Sequence, residues 1–424
     1  MEHLFKELFQ INRSITGDGV RKSIKILQKE VPYEIKEFSS GLSCFDWVIP
    51  KEWNIKDAYI QDLNGKKIID FQDHNLHVLN YSAPVNKRVS KDELLEYIYT
   101  RKDLPDAIPY RTSYYQERWG FCLEHNRLKD FTEDEYNVVV DSTLTDGSLS
   151  IAELVIKGES DKEVLFSTYM CHPSMANNEL SGPIAMTMLA KYLMSQEKLK
   201  YTYRFVIAPE TIGSIVYLSQ YCEELKDKVI AGYVISQVGI TDNLVYKQSR
   251  NENSLSNRVV SHLSNHSNND VDIVDFTPNG GGDQRQYCSL GINMPIGYIG
   301  RSLGGTYKEY HTSLDSLDII SYDKMNESVN FLKDIVFALE VNNLYMNEMP
   351  YCEPNLGMRG LYPTIGGEKA TLEMKIIKYI LGYSDGKKDI LEIANLLKVN
   401  ILLFDEAIHK LLNSKLIVPV YNKT

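Results

Sequence analysis

Between Tyr136 and about Asn343 the chain alternates short apolar runs with stretches of helical length, and this alternation restricts the segment to an α/β sheet flanked by helices. The runs predict strands over Asn137 to Val140, Ser150 to Ile156, Glu163 to Thr168, Tyr203 to Ile207 and Lys228 to Ile235, and another near Met294 to Tyr298. Between them the spacing predicts helices over Gly182 to Met194 and Ser214 to Cys222. The first of these has Pro183 just inside its start, where a missing N–H costs nothing.

The flanks have different textures. Glu2 to Phe9 and Gly19 to Lys29 read as amphipathic helices separated by the turn and capping residues Asn-Arg-Ser-Ile-Thr-Gly-Asp. Residues 36–124 break into short alternating runs punctuated by Asn64-Gly65, Ser-Ala-Pro and Leu-Pro-Asp, as in a small β-rich insertion. Residues 363–424 read as three helices, Leu372 to Leu381, Asp389 to Leu397 and Leu403 to Leu412, followed by the apolar run Leu416 to Val420, the order of a winged helix. The expected organisation is a main α/β domain from 1–35 and 125–362, a β-rich insert at 36–124 and a winged helix at 363–424. The main domain is a mixed β-sheet flanked by helices.

Composition narrows the function classes. At 43% hydrophobic and 24% charged residues, with no low-complexity segment, the chain is expected to be globular throughout. The N-terminus lacks the basic region and apolar stretch of a secretory signal, and no segment approaches the roughly 18 apolar residues of a membrane span. A soluble, cytoplasmic protein without a membrane partner is expected. Six scattered cysteines without a CxxC pair argue against a disulfide framework or zinc ribbon. A net charge of −11, together with Asp405 and Glu406 opening the third C-terminal helix, makes nucleic acid a poor partner and favours protein contact or self-association through the winged helix.

Chemistry concentrates at predicted strand ends. His172 follows the run Glu163 to Thr168, Glu210 ends Tyr203-Arg-Phe-Val-Ile-Ala, and His311 sits in a Tyr-His-Thr turn. The loop after His172 brings Asn178 and Glu179. Imidazoles and carboxylates delivered from strand ends are what a hydrolytic zinc centre requires. His172, His311 and Glu179 are the candidate ligands, with Asn178 as rival to Glu179 because an amide oxygen is the poorer donor to zinc. Glu210 is a candidate either for the metal or for the general base. Cys171, a soft donor, is expected to point away from His172, its neighbour on a strand.

A cluster at Gly280-Gly-Gly-Asp283-Gln-Arg285 offers a second candidate base in Asp283 and a carboxylate binder in Arg285, unless it is a plain surface turn. The aromatic and polar stretch from Pro109 to Cys122, with Tyr114 and Arg118, suits either a substrate wall or an edge packed on the main domain. Tyr310 joins the candidate substrate contacts. His74 and His77 read as a solvated turn.

Together these motifs resemble the zinc-dependent aminopeptidase superfamily, and more closely a bacterial family of aminopeptidase-like proteins with an inserted β domain and a C-terminal winged helix, often associated with surface-polysaccharide gene clusters. The resemblance rests on Arg13-Ser-Ile-Thr-Gly-Asp-Gly, Ser113-Tyr-Tyr, Trp119-Gly-Phe-Cys, Cys171-His-Pro-Ser, Asn178-Glu-Leu-Ser-Gly, Gly282-Asp-Gln-Arg-Gln-Tyr-Cys and Tyr310-His-Thr-Ser. It implies that His172 is the first histidine ligand, His311 the last and Glu210 one of a paired glutamate set. Where the superfamily has a metal-bridging Asp this chain has Asn178. The paired glutamates become Pro209-Glu210, and the late Asp falls near Ser236-Gln237. Two zinc ions need several carboxylates between and around them, so one zinc is expected. The expected activity is hydrolysis of an amide in a small peptide or on a modified sugar; the alternative is a peptide- or glycan-binding protein that kept the pocket and lost turnover.

Overall fold

The computed structural model describes residues 1–267, 270–280, 282–362 and 371–420. It divides into two compact units, one of Met1–Glu252 with Asp272–Val329 and one of Asn253–Val271 with Asn330–Thr424. Gly281, residues 363–370 at the expected start of the winged helix, and residues 421–424 lie outside the described residues.

The first unit is built on an eight-stranded sheet. In chain order its strands are β1 (Glu34–Ser39), β2 (Ser148–Ile156), β3 (Glu163–Tyr169), β4 (Thr202–Ala208), β5 (Val229–Ile235), β6 (Leu244–Lys247), β7 (Val271–Val274) and β8 (Ile296–Gly300). In space they run β1-β2-β4-β3-β5-β8-β6-β7. The central pairs β4–β3, β3–β5 and β5–β8 are parallel, while β1–β2, β2–β4 and β8–β6 are antiparallel. A mixed sheet flanked by helices is what the alternation predicts.

Every residue of β3, β4 and β8 is buried, because a strand covered on both faces must be apolar continuously rather than alternately. Beside the anionic Glu163 of β3, the charged exception is Arg204 on β4. Its guanidinium grips Glu163 at 2.6 and 2.9 Å and Glu153 at 2.7 Å, so the buried charge is fully paired. The helix Ser181–Met194 lies close over the sheet because residue 182 is glycine: a Cβ there would meet Thr168 Oγ1 at 2.3 Å and the Ile235 carbonyl at 2.5 Å. The N-terminal helices are Glu2–Phe9 and Asp18–Leu27, each presenting one apolar face to the interior.

A four-stranded antiparallel sheet of Lys67–Asp70, Glu52–Gln61, Glu135–Thr145 and Val85–Ser90, in that spatial order, carries its own core around Ile60, Ile69, Val138 and Phe121. Its first hairpin turns at Asn64-Gly65, where Gly65 has φ +88. His74 and His77 correct the expectation of a solvated turn. His77 is 2% exposed, with Nδ1 against the Cys122 carbonyl at 2.9 Å, and His74 Nδ1 accepts the Leu76 N–H at 3.0 Å to cap a short 3-10 turn. The polar sequence around them gave no sign that Leu76, Cys122 and their neighbours close over the pair.

The second unit contains the helices Leu255–His266, Leu372–Tyr383, Ile390–Leu397 and Asp405–Asn413, and a small antiparallel sheet with Leu344–Asn347 between Asp385–Asp389 and Ile417–Pro419. Asp389 and Glu392 form a reciprocal cap at the start of Ile390–Leu397, and Arg258 holds the Asp389 carboxylate at 2.7 Å. Leu403 belongs to a 3-10 turn, so the third winged-helix helix begins two residues later than its apolar spacing suggests.

Burial, and next the nearby His77, pull the His74 imidazole down to about 4. A folded-state value below the unfolded one means that stability is complete above about pH 6.5 and declines as pH falls from there toward 4. His74→Asn, which keeps an acceptor for the Leu76 N–H, is expected to flatten that part of the stability–pH profile, measured by urea unfolding at pH 7, 6, 5 and 4.

Candidate metal centre and substrate cleft

The four parallel strands end on one crevice. β3 ends at Tyr169 and passes into Met170, Cys171 and His172, β4 passes into Pro209 and Glu210, β5 into Ser236 and Gln237, and β8 into Arg301 and Ser302. This is where ligand sites form in open α/β sheets.

His172 is 4% exposed and stands between two carboxylates. Glu179 Oε2 lies 2.6 Å from its Nδ1, and Glu210 Oε2 lies 3.6 Å from its Nε2. The ring centres of His172 and His311 are 5.3 Å apart. Two imidazoles sharing one tetrahedral zinc would have their centres about 5 Å apart. Tyr310 stacks on His311 at 3.9 Å and 10°, and Tyr110 packs against both imidazoles at 4.7 and 5.2 Å. The Tyr114 hydroxyl bonds to that of Tyr110.

Cys171 differs from the expectation that it faces away. It lies beyond the end of β3, where strand alternation no longer applies, and its Sγ sits 3.5 Å from His172 Nδ1 and accepts the Glu210 N–H at 3.3 Å. Cys171, His172 and Glu179 bring ligand atoms within 4.8 Å of one another, on the Nδ1 side of the imidazole.

The remaining expected residues are close by. Asn178 Oδ1 faces the Gln237 amide at 3.4 Å and the Tyr169 hydroxyl at 3.5 Å, while Gln237 accepts from Ser302. Asp283 accepts the Thr211 N–H at 2.6 Å, and Arg285 donates to Thr211 Oγ1 at 3.2 Å, so these two residues pack against the Glu210 loop while Gly280 lies on the surface. Lys247 holds that segment by the Asn279 and Gly280 carbonyls at 2.9 and 3.1 Å. Arg118 stands apart from the histidine pair, in a neighbouring cavity.

Sequence reasoning passed over several residues that hold this arrangement. Arg13, 1% exposed, donates to the His172 carbonyl at 3.0 Å and to the Leu8 carbonyl at 2.7 Å. The Asp315 carboxylate accepts the backbone N–H groups of Asn177 and Asn178 at 2.7 and 2.9 Å and the Tyr307 hydroxyl at 2.7 Å. Arg13 opens the motif Arg13-Ser-Ile-Thr-Gly-Asp-Gly and Asp315 lies two residues past Tyr310-His-Thr-Ser, the one available signal. Four non-glycine residues at the crevice have positive φ: Ser174 at 46, Thr211 at 66, Gln237 at 56 and His311 at 54. Backbone strain of this kind costs about 1–3 kcal/mol per residue and collects at functional sites.

The electrostatics follow from enclosure. Burial is the largest influence on His172 and opposes its charge, but Cys171 and Glu179 outweigh it and hold the imidazolium well above its ordinary value. The Cys171 thiol itself is pushed up to about 11 by burial, so at neutral pH the Glu179 carboxylate is the charge responsible. Burial and then His172 pull His311 down to about 3, leaving it a neutral imidazole. Burial and then Glu210 push Asp283 up to about 7, and Glu210 is itself raised by burial while keeping 28% of its side chain exposed. His311 Nε2, Glu179 Oε1, Asp283 Oδ2, Asn178 Nδ2 and Arg285 Nε are buried without a protein partner, a concentration of free donors and acceptors suited to a ligand. Two imidazoles at zinc spacing and an adjacent carboxylate fit one metal ion. Amides at 178 and 237 do not supply the anionic donors a second would need.

Comparison with known proteins agrees with this architecture. Residues 2–342 match the family described as Domain of unknown function (DUF4910), and residues 343–419 match a winged helix-turn-helix family. A Clostridium acetobutylicum protein, provisionally named a polysaccharide biosynthesis protein with aminopeptidase-like domain, is 44% identical over 92% of this chain and 90% of its own length. A crystal structure of a provisionally assigned peptidase from the same organism superposes with a TM-score of 0.92 at 41% identity, covering 99% of this chain and 95% of that one. A zinc aminopeptidase from Bacillus subtilis, 13% identical, shares the fold with a TM-score of 0.56 over 80% of this chain and 94% of its own.

Asp315→Ala removes the acceptor for two buried N–H groups and one hydroxyl. It is expected to cost about 2–4 kcal/mol of stability in urea unfolding.

Proposed function

The chain belongs to the family described as Domain of unknown function (DUF4910), and from that membership and the crevice geometry we propose that it is a hydrolase of amide bonds working with one zinc ion. The observation that carries the reading is the His172–His311 pair at zinc spacing, with His311 Nε2 unpartnered in the interior. The substrate is a peptide or an amide on a modified sugar. The name of the Clostridium acetobutylicum relative favours the sugar-linked form.

His172 and His311 would hold the ion. When bound, zinc would supply Lewis acidity toward the scissile carbonyl and lower the pKa of an attacking water toward about 7. Glu179 acts from behind the ring: by holding the Nδ1 proton it directs His172 Nε2 into the crevice, so in this reading it orients a ligand instead of being one. Glu210, the carboxylate that reaches solvent, takes the proton from the attacking water and returns it to the leaving amine, with burial and then the Glu179 charge keeping its affinity for protons high. Asn178 Nδ2 and the Tyr310 and Tyr114 hydroxyls present polar groups to the substrate. The winged helix serves protein contact, in keeping with Asp405 and Glu406 at the opening of its third helix.

A second reading has its own observation. The Asn178–Gln237–Ser302 hydrogen bonds fill space with amides where a two-metal enzyme keeps carboxylates, which suits a scaffold that binds without turnover.

Purified protein is expected to carry up to one equivalent of zinc, lost in His172→Ala and in His311→Ala and readily removed by a chelator, since two imidazoles hold zinc less tightly than three ligands. Metal-free wild type unaffected by either substitution rules the proposal out. Glu210→Gln is expected to keep the zinc and lose at least 100-fold in hydrolysis of an amino-acyl or N-acyl-sugar amide; loss of zinc along with turnover would instead make Glu210 a third ligand. Asn178→Asp separates the two readings, because gain of a second zinc and of peptidase activity supports the degenerate scaffold, whereas loss of an existing activity supports a specialised enzyme.

A further inference from the structure

Beside the crevice lies a second cavity of about 360 Å³, whose walls include Tyr99, Arg111, Tyr114, Tyr115, Gln116 and Arg118. Its composition is unusual for this molecule. The chain carries a net charge of −11, yet among the described residues neither Arg111 nor Arg118 has a carboxylate within 4.0 Å. Arg118 is nevertheless held in place: Nη2 donates to the Glu96 carbonyl at 3.0 Å, and its guanidinium lies 5.4 and 5.5 Å from the ring centres of Tyr97 and Tyr99. Two uncompensated guanidinium groups, both exposed on the rim of one open cavity, form a receptor for an anion, since their forked donors match carboxylate and phosphate oxygens. The tyrosine rings and the amide of Gln116 add flat apolar faces and polar edges, the combination that receives a sugar ring.

The cavity is tied to the histidines. Arg111 follows Tyr110, whose N–H donates to the His311 carbonyl at 2.8 Å and whose ring lies against both imidazoles. Tyr114 lines the cavity and bonds through its hydroxyl to Tyr110. A ligand seated between Arg111 and Arg118 is therefore one tyrosine pair away from the histidines.

We propose that this cavity is the subsite for the anionic group of a saccharide, a uronic carboxylate or a sugar phosphate, whose amide is presented to His172 and His311. The substrate class rests on the amide-hydrolase reading, whereas the anion subsite stands without it.

Calorimetry on the full chain tests the subsite with D-glucuronate, glucose 1-phosphate, inorganic phosphate and neutral glucose, and on chelator-treated protein in parallel. Binding of at least one acidic sugar, at least 10-fold tighter than glucose, is expected, and the tighter of glucuronate and glucose 1-phosphate identifies the anion. Arg111→Ala and Arg118→Ala are each expected to weaken that binding by 10-fold or more while keeping the wild-type melting temperature, and added salt weakens it further. Chelator-treated wild type is expected to bind as untreated protein does, so failure of the zinc chemistry leaves the subsite result intact. Equal affinity for glucose and the acidic sugars, binding of inorganic phosphate as tight as the sugars, no binding of any probe, or arginine variants that bind as wild type would each overturn the proposal.

Discussion

The crevice is organised around one buried contact, the 2.6 Å pairing of Glu179 with His172 Nδ1. Neither side chain could be buried alone at tolerable cost, since an unpaired charge in the interior costs several kcal/mol. Once paired, they fix which nitrogen of the imidazole carries a proton toward the protein and which faces the crevice. Much of the surrounding structure serves that contact. Arg13 fixes the backbone of His172, while Asp315 ties down the turn that carries Asn178 and Glu179.

The strained backbone has a similar logic. Thr211, Gln237 and His311 each follow or face a parallel strand end, where the chain must reverse sharply to place a side chain in the crevice instead of continuing the sheet. At Gln237 and Thr211 the strained positions hold neutral side chains. The strained crevice loops thus carry a hydrogen-bonded network of amide and hydroxyl groups, which favours orientation of a polar ligand over storage of positive charge.

Much of the α/β frame was legible because buried parallel strands write themselves as unbroken apolar runs, and the helices between them as periodic ones. The placement of His172 and Glu210 just past strand ends was legible too. Contacts made across the fold were not. His77 sits in a polar stretch, and nothing local says that Cys122 will close over it. Cys171 follows a strand, so alternation pointed it away from His172, yet the strand stops two residues earlier. Arg204 looks out of place in an apolar run until Glu153 and Glu163 arrive from neighbouring strands. Glu179 meets one nitrogen of the His172 imidazole and Glu210 the other, and sequence spacing carries no information about that.

One further consequence lies in how the two histidines are delivered. His172 and Glu179 are seven residues apart, so their contact is local, whereas His311 is stitched to the opposite wall through the Pro109–Thr312 bridge and the bond between the Ile108 N–H and Ser313, whose partners are 205 residues apart. Closing so long a span demands more chain entropy than closing a short one, and contacts of that range govern the pace at which a topology is reached. The other half is no more self-sufficient, since Arg13 and Asp315 reach His172 and the Asn178 turn from 159 and 137 residues away, so both walls of the pocket await closure of the whole first unit.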